Sequence, residues 1–246
     1  MYLPKVSIIT PVYNSEKFLK DYFNNISQIN YQNLEIIIIE GKSTDGSLDL
    51  INSYKCKLNL IIHSEKDFGI YDAMNKGINI SSGEYIYFMG ADDNLYDFDF
   101  FNTLFSDNSI LEFDFIYGNF CFKASKKIRG GRRTKIDLLL NNICHQAIIY
   151  KRTIFDLIGF YNLKYKICAD YDLNIRCFYN NEIKIKYINK VIGTFDSTGT
   201  SSFGCDNEFK NFRKQLIINN IGYFYYFNSI IYQNLLKVLK KWKIVE

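Results

Sequence analysis

The stretch Tyr-Ile-Tyr-Phe-Met-Gly-Ala-Asp-Asp-Asn at 85–94 constrains the fold of this chain more than any other. Its first five residues are apolar, β-branched or aromatic, a pattern that reads as a buried strand. The run stops at Gly90 and delivers two adjacent carboxylates, Asp92 and Asp93, to the strand's C-terminal end. In open α/β sheets that edge is where ligands bind. Neighbouring carboxylates repel each other, and a cation relieves the repulsion. Oxygen-only ligands favour a hard ion such as Mg2+ or Mn2+, which would in turn hold a diphosphate. Asp92, Asp93 and Asn94 are equally good N-caps for a following helix, so the pair alone leaves both readings open.

The chain before this pair predicts the rest of the sheet. Residues 5–10 form a first strand closed by Pro11, and residues 15–29 carry helical spacing in Phe18, Leu19, Tyr22, Phe23 and Ile26 behind Ser15 as N-cap. The continuous apolar run 34–40 is of the kind that a parallel sheet buries on both faces. A strand at 58–63 and a helix at 70–80 complete three βα units before the double aspartate. The simplest topology for that order is a doubly wound nucleotide-binding half. Four segments then converge on one sheet edge: Thr10-Pro-Val-Tyr-Asn14, Glu40-Gly-Lys-Ser43, residues 67–75, and Asp92-Asp93. Glu40 could accept from a ribose or base, Tyr13 could stack on a base, and the loop backbones could meet phosphate. Each also has a structural explanation: Pro11 and Gly41 as turn residues, Asp67 and Asp72 as charges favoured at a helix start.

The second half changes character. A strand at 115–122 leads into residues 123–135, which hold seven basic residues and no acid around a Gly-Gly turn signal. A strand at 146–150, a helix near 153–157, a helix at 169–179 with Asp170 and Asp172 in its first turn, and a strand at 184–188 follow. The whole is expected to be one domain at 1–220, with a nucleotide-binding half (1–95) and an acceptor-binding half (96–220). Residues 221–246 form a basic tail, in which Ile231, Leu235, Val238 and Trp242 share one helical face beside Lys237, Lys240, Lys241 and Lys243. That tail would either lie on an anionic bilayer or pack on the domain. With 30 basic and 26 acidic residues the chain carries only +4, too little to suggest nucleic acid as a partner. Six scattered cysteines without a C-x-x-C pair suggest neither a zinc site nor a disulfide framework, and fit a reduced, cytoplasmic setting. No run approaches the roughly 20 apolar residues of a membrane-spanning helix.

Taken in order, the segments Ser-Ile-Ile-Thr-Pro-Val-Tyr-Asn at 7–14, Glu-Gly-Lys-Ser-Thr-Asp-Gly-Ser at 40–47, Asp-Phe-Gly-Ile-Tyr-Asp-Ala-Met-Asn-Lys-Gly at 67–77, the 82–93 run, His145-Gln146 and residues 169–176 resemble the family 2 glycosyltransferases of the GT-A fold. These are inverting enzymes that use nucleotide-sugar donors, and the resemblance covers roughly residues 5 to 180. It implies an α/β, Rossmann-like, mostly parallel sheet flanked by helices. It implies that Thr10, Pro11, Tyr13, Glu40, Ser43, Asp67, Gly69, Asn75, Lys76 and Asp92 face the nucleotide sugar. Asp93 would ligate Mg2+ or Mn2+ directly, with Asp92 beside it, and Asp170 would be the catalytic base. His145, Gln146 and Asp172 are candidates for contacts to the donor sugar or acceptor. Two positions depart from the family pattern: Glu40 stands where Asp is usual, and Ala169 where many members carry Glu. The implied reaction moves a sugar, from a UDP-sugar by resemblance, onto a hydroxyl of a saccharide or lipid-linked acceptor, at a cytoplasmic site or on the inner membrane face.

The chemistry is coherent on its own terms. The leaving diphosphate needs neutralising charge, and the acceptor hydroxyl needs one carboxylate to take its proton. Asp170 and Asp172 also suit a helix N-terminus, and His145 could be a hydrogen-bonded core residue. A sugar-phosphate nucleotidyltransferase would need a glycine-rich loop after the first strand, where Thr10-Pro-Val-Tyr-Asn14 has no glycine. A non-catalytic nucleotide-sugar-binding subunit would have no need of Asp170.

Overall fold

Alternate side chains of the strands face opposite layers, and both layers are apolar. In the computed structural model, which describes residues 2–195 and 204–221, the strands β1 (Val6–Val12), β2 (Leu34–Glu40), β3 (Leu60–Ser64) and β4 (Tyr85–Phe88) run parallel in the order β3-β2-β1-β4. The helices α1 (Glu16–Ile26), α2 (Ser47–Leu58) and α3 (Ile70–Ile80) make the crossovers. Ile9, Ile37, Ile39, Ile86 and Phe88 pack with Met74 and Ile78 on one face. Val6, Ile8, Ile36, Ile38, Tyr85 and Tyr87 pack with Leu19 and Phe23 on the other. A sheet covered on both sides explains why these strands read as unbroken apolar runs.

Two strand boundaries differ from the sequence reading for local reasons. Pro11 lies inside β1 rather than ending it. The Ile9 carbonyl accepts from Met89 N, so residues of that parity turn toward β4, whose pairing ends at Ile9–Phe88. Pro11 shares the parity beyond that end, so its missing N–H forfeits no ladder bond. Strand β3 begins at Leu60 rather than 58, because α2 continues to Leu58 and is closed by Asn59 in the left-handed conformation (φ 49°).

The chain then adds β5 (Asn94–Leu95), α4 (Phe100–Phe105), β6 (Phe115–Phe122), β7 (Ile128–Arg129), α5 (Lys135–Leu140), β8 (Ile148–Lys151), α6 (Thr153–Ile158), α7 (Ala169–Tyr179), β9 (Ile185–Phe195) and α8 (Asn207–Ile221). The single sheet extends as β4-β8-β6-β9-β5, with β7 paired to β6. This second half is mixed: β8 is antiparallel to both β4 and β6, β9 is parallel to β6, and β5 is antiparallel to β9. Because β8 runs against its neighbours, its N-terminal end meets the C-terminal ends of β1, β2, β3, β4, β6 and β9 at one edge. The late strand, expected at 184–188, runs on to Phe195 because both of its sides find partners. Among the described residues no helix is long and apolar enough to cross a membrane. The tail positions 231–243 singled out above lie outside the described residues.

The expectation that no cysteines pair is corrected in one place. Cys168 and Cys205 form a disulfide, with Cα atoms 5.9 Å apart, while Cys56, Cys121, Cys144 and Cys177 are free. The next residue, Asp206, accepts from the backbone amides of Lys166, Ile167 and Cys168, each at 2.9 Å. A separation of 37 residues carries no spacing signal, so only the fold reveals the pair.

The edge opposite the strand C-termini is fastened by one buried carboxylate. Glu35 accepts from Ser82 N at 2.6 Å and Gly83 N at 3.1 Å, and from the hydroxyls of Ser7 and Ser82. Lys5 Nζ lies 2.6 Å from its other oxygen. Gly83 is required there, since a Cβ would stand 2.3 Å from Ser7 Oγ and 2.7 Å from Ser7 N. Burial pushes the Glu35 carboxyl up, but the bonds from Lys5, Ser7 and Ser82 outweigh it and hold it down at about 2, against an ordinary 4.5. A depressed folded-state value means the stabilisation is complete above 4.5 and is lost as pH falls toward 2. Glu35→Gln should therefore cost about 2 kcal/mol at pH 7 and flatten the acid limb of stability. Urea melts of both proteins from pH 7 to pH 3 check this; parallel acid limbs would show that Glu35 does not carry the linkage.

Candidate active site

Two buried carboxylates organise the shared edge. Asp93 follows β4 by five residues and is 3 % exposed. Its Oδ2 accepts from Gly90 N at 2.9 Å and from Gln146 Nε2 at 3.0 Å. Burial, reinforced by the adjacent Asp92 charge, raises its carboxyl above the usual range despite the bonds from Gln146 and Gly90. A cation would reverse that balance. Asp92 is half-buried, and its carbonyl accepts from Lys123 Nζ at the end of β6. Among the described residues no group of three or more His, Cys, Asp or Glu side chains is arranged to hold a metal by itself.

Asp170 is the second carboxylate, in the first turn of α7 and 8 % exposed. Its Oδ1 accepts from Tyr171 N at 2.7 Å, and the Tyr71 hydroxyl of α3 stands 3.2 Å away, also within 2.8 Å of the Ile167 carbonyl. Its Oδ2 accepts from Asn142 Nδ2 at 3.0 Å, with His145 Nδ1 at 3.7 Å. Asn142 in turn accepts from Asn174, which accepts from the Tyr150 hydroxyl, so a buried polar chain fixes the carboxylate's orientation. His145 and Gln146 belong to one 3-10 turn, His145–Ala147, that enters β8. Consecutive residues of this turn therefore reach Asp170 and Asp93.

The first three strand ends build the other side. Tyr13 is 59 % exposed and sits over Gly41, whose Cα Asp67 also approaches closely. Pro11 lies half-buried beside them. Glu40 is fully buried and holds the loop together, accepting from Ser43 N and Ser64 Oγ, both at 2.5 Å. Burial pushes its carboxyl up, but these bonds prevail and the net shift is downward. Asp67 Oδ1 accepts from Gly69 N at 3.0 Å ahead of α3.

Several residues singled out in the sequence are engaged within the protein. The Thr10 hydroxyl is buried and lies 2.6 Å from the Tyr22 hydroxyl. The Asn75 amide brackets the backbone of Tyr161, donating to its carbonyl at 2.9 Å and accepting from its N at 3.0 Å. Lys76 reaches the Lys66 carbonyl at 2.7 Å, with Asp72 at 3.3 Å and Glu65 at 3.4 Å. Asp172 pairs with Arg176 at 2.8 Å, and that guanidinium also donates to the carbonyls of Ile158 and Phe160. Conversely, Tyr71 and Asn142 touch Asp170 without having been singled out. Tyr71 lay inside the quoted 67–77 segment, whereas nothing in the sequence marked Asn142.

Comparison with known proteins shows the family and the fold. The model of glycosyl transferase family 2 matches residues 7–157. A "PGL/p-HBAD biosynthesis glycosyltransferase" of Mycobacterium bovis is 38% identical over 215 residues, covering 85% of this chain and 84% of the relative. Among solved structures, S. aureus TarS in complex with UDP-GlcNAc superimposes with a TM-score of 0.69 at 19% identity, covering 87% of this chain and 67% of that one. The mannosyltransferase PcManGT of Pyrobaculum calidifontis, in complex with GDP-Man and Mn2+, gives a TM-score of 0.62 at 16% identity, covering 81% of this chain and 59% of that one. Matched by the family model over residues 7–157 and by a relative 38% identical over 85% of its length, this chain belongs to glycosyl transferase family 2.

Proposed function

We propose that the protein moves a sugar from a nucleotide-sugar donor to a hydroxyl of a saccharide or lipid-linked acceptor, with inversion, in the synthesis of a surface glycan. The observation that carries this reading is the pair of buried carboxylates, Asp93 and Asp170, reached by consecutive residues of one turn. The names of the mycobacterial relative and of TarS in complex with UDP-GlcNAc support the class of reaction and of donor.

Tyr13 offers an exposed ring for the base, beside Pro11, Gly41 and Asp67. Asp93, with Asp92 beside it, would hold Mg2+ or Mn2+. Two carboxylates are a scant donor set for a protein-only cage, but they suit an ion that takes its remaining ligands from diphosphate oxygens and water. When bound, such an ion neutralises the charge that develops on the departing nucleotide diphosphate. Asp170 takes the proton from the acceptor hydroxyl as that oxygen bonds to the anomeric carbon and the bond to the diphosphate breaks. One base and one displacement invert the carbon. Asn142 and Tyr71 keep the Asp170 carboxylate aimed, and His145 lies between the two carboxylates.

Two sets of variants test the assignment. EDTA should abolish sugar transfer and Mg2+ or Mn2+ restore it, and Asp93→Asn should remove most activity while leaving the melting temperature close to that of the parent. A donor screen that detects released nucleotide diphosphate gives the readout, and unchanged rates in chelator would remove the metal from the reaction.

For the base, Asp170→Asn should lower kcat by about 10²–10⁴ with donor binding nearly unchanged. Asp172→Asn should instead lose stability, by about 1–3 kcal/mol, because it strips the buried partner from Arg176. Its kcat should stay within a few-fold of the parent. Near-normal turnover by Asp170→Asn would overturn the base assignment, and with donor bound but never consumed by the parent protein, a binding subunit would be the better description.

A further inference from the structure

The basic segment 123–135 is not used by the reaction described above. It leaves β6, turns, pairs back as β7, and runs into the capping box that opens α5. Both of its ends are fixed at the active-site edge. At the first, Lys123 Nζ donates to the Asp92 carbonyl. At the second, Arg133 N donates to the Tyr117 hydroxyl at 2.7 Å, and Thr134 caps α5 with Asp137. Helix α5 then leads to Asn142, which donates to Asp170. The hairpin thus runs from the metal-site loop to the immediate support of the candidate base.

The charge of its side chains is compensated only in part, by Asp137, on which the Arg133 charge acts. Lys126, Lys127, Arg129 and Arg132 are exposed, and among the described residues none of them, nor Arg133, forms a salt bridge. Asp137 is the acid nearest in sequence, and its carboxylate is bonded to the Thr134 amide and hydroxyl. The charge continues across α5. The Arg213 guanidinium of α8 stands 5.5 Å over the Tyr171 ring, and the Arg133 and Arg213 charges both act on the Tyr171 hydroxyl, which donates to the Leu138 carbonyl. Tyr171 is the residue next to Asp170. A solvated basic face elsewhere on the molecule would need no explanation. A one-sign rim that runs from the Asp92 carbonyl to the helix carrying Asp170 borders the candidate site on its second-half side.

Resting on the glycosyltransferase reading, we infer that the acceptor is anionic: a phosphate-bearing saccharide or lipid whose phosphate is held by Arg129, Arg132 and Arg133 while its hydroxyl faces Asp170. Guanidinium groups suit this task because their planar donor pairs match phosphate oxygens. Capture by such a rim also raises the encounter rate and weakens with salt.

The test uses the full chain with inorganic tripolyphosphate as probe, in EDTA so that no metal recruits it to Asp93. Calorimetry should give a Kd that rises at least tenfold in R129Q/R132Q/R133Q and with increasing NaCl, and that is unchanged in Asp93→Asn and in saturating UDP. Amide NMR shifts on titration should extend from the hairpin to Asn142 and Tyr171. Circular dichroism confirms that the triple variant is folded, and K126Q/K127Q, which leaves the arginines in place, should bind with less than a threefold change. The proposal is overturned if the triple variant binds as the parent does, or if shifts stay within 126–129. It is equally overturned if UDP competes, which would assign the rim to the donor's diphosphate. Binding only to vesicles of 70 % phosphatidylcholine and 30 % phosphatidylglycerol, and not to the soluble probe, would make it a membrane contact instead. Calorimetric binding of a panel of nucleotide sugars that includes UDP-GlcNAc and GDP-Man, in Mn2+, reports separately on the glycosyltransferase reading. It should be the same in parent and triple variant; a parent that binds none of the panel fails that reading, whatever the tripolyphosphate result.

Discussion

A carboxylate removed from water must be given partners, and this fold removes two at the same place. Asp93 and Asp170 come from different halves of the chain, 77 residues apart by their numbers, and each would be costly to bury alone. The turn at 145–147 links them, with Gln146 bonded to one and His145 close to the other. That turn is itself wedged in place. Tyr87 donates to the Gln146 carbonyl at 3.1 Å, and Gly193 of β9 admits it, since a Cβ there would stand 2.6 Å from that carbonyl oxygen and 2.6 Å from the Tyr87 hydroxyl. The site therefore depends on strands β4, β8 and β9 sharing an edge in their observed directions. Reversing β8 alone would carry the turn to the far side of the sheet.

The first half of the chain is largely legible from sequence because its signals are local. Period, turn residues and strand length fix β1, β2, α3 and β4 to within one or two residues, and the convergence of their ends follows from parallel topology. The second half is less legible because its structure is set by partners distant in the chain. The extension of β9 to Phe195 depends on β5 and β6, and the Cys168–Cys205 pair on the path between two helices. The same holds for side chains. Asn75 looks available until the backbone of Tyr161 is brought to it, and Asp172 looks like a twin of Asp170 until Arg176 claims it one helical turn on. Composition could name the residue types a site needs. Only tertiary placement could separate those that face the cleft from those that hold it.

The same edge also divides into a rigid part and an exposed one. Asp170 is surrounded by donors from α3, the segment before β8 and its own helix, whereas the loops after β1 and β3 present Tyr13 at 59 % exposure and Phe68 at 88 %. Preorganised groups around a reacting atom need no rearrangement when charge moves. Exposed rings can make and break contacts without disturbing them.

The position of β9 has a consequence for how the chain is made. The first four parallel strands and their helices are complete by Phe88, so that layer can assemble while the remainder is still being synthesised. The second half cannot follow in the same way. Strand β5 at 94–95 has its sheet partner in residues 193–194, and β6 has one long side facing residues 185–195. Until about a hundred further residues follow β5, and about seventy follow β6, these strands keep open backbone edges of the kind that pair with other chains. A nascent chain paused between β6 and β9 is thus half-built in a specific sense: the parallel layer that ends in Asp93 exists before the strand that completes the mixed half.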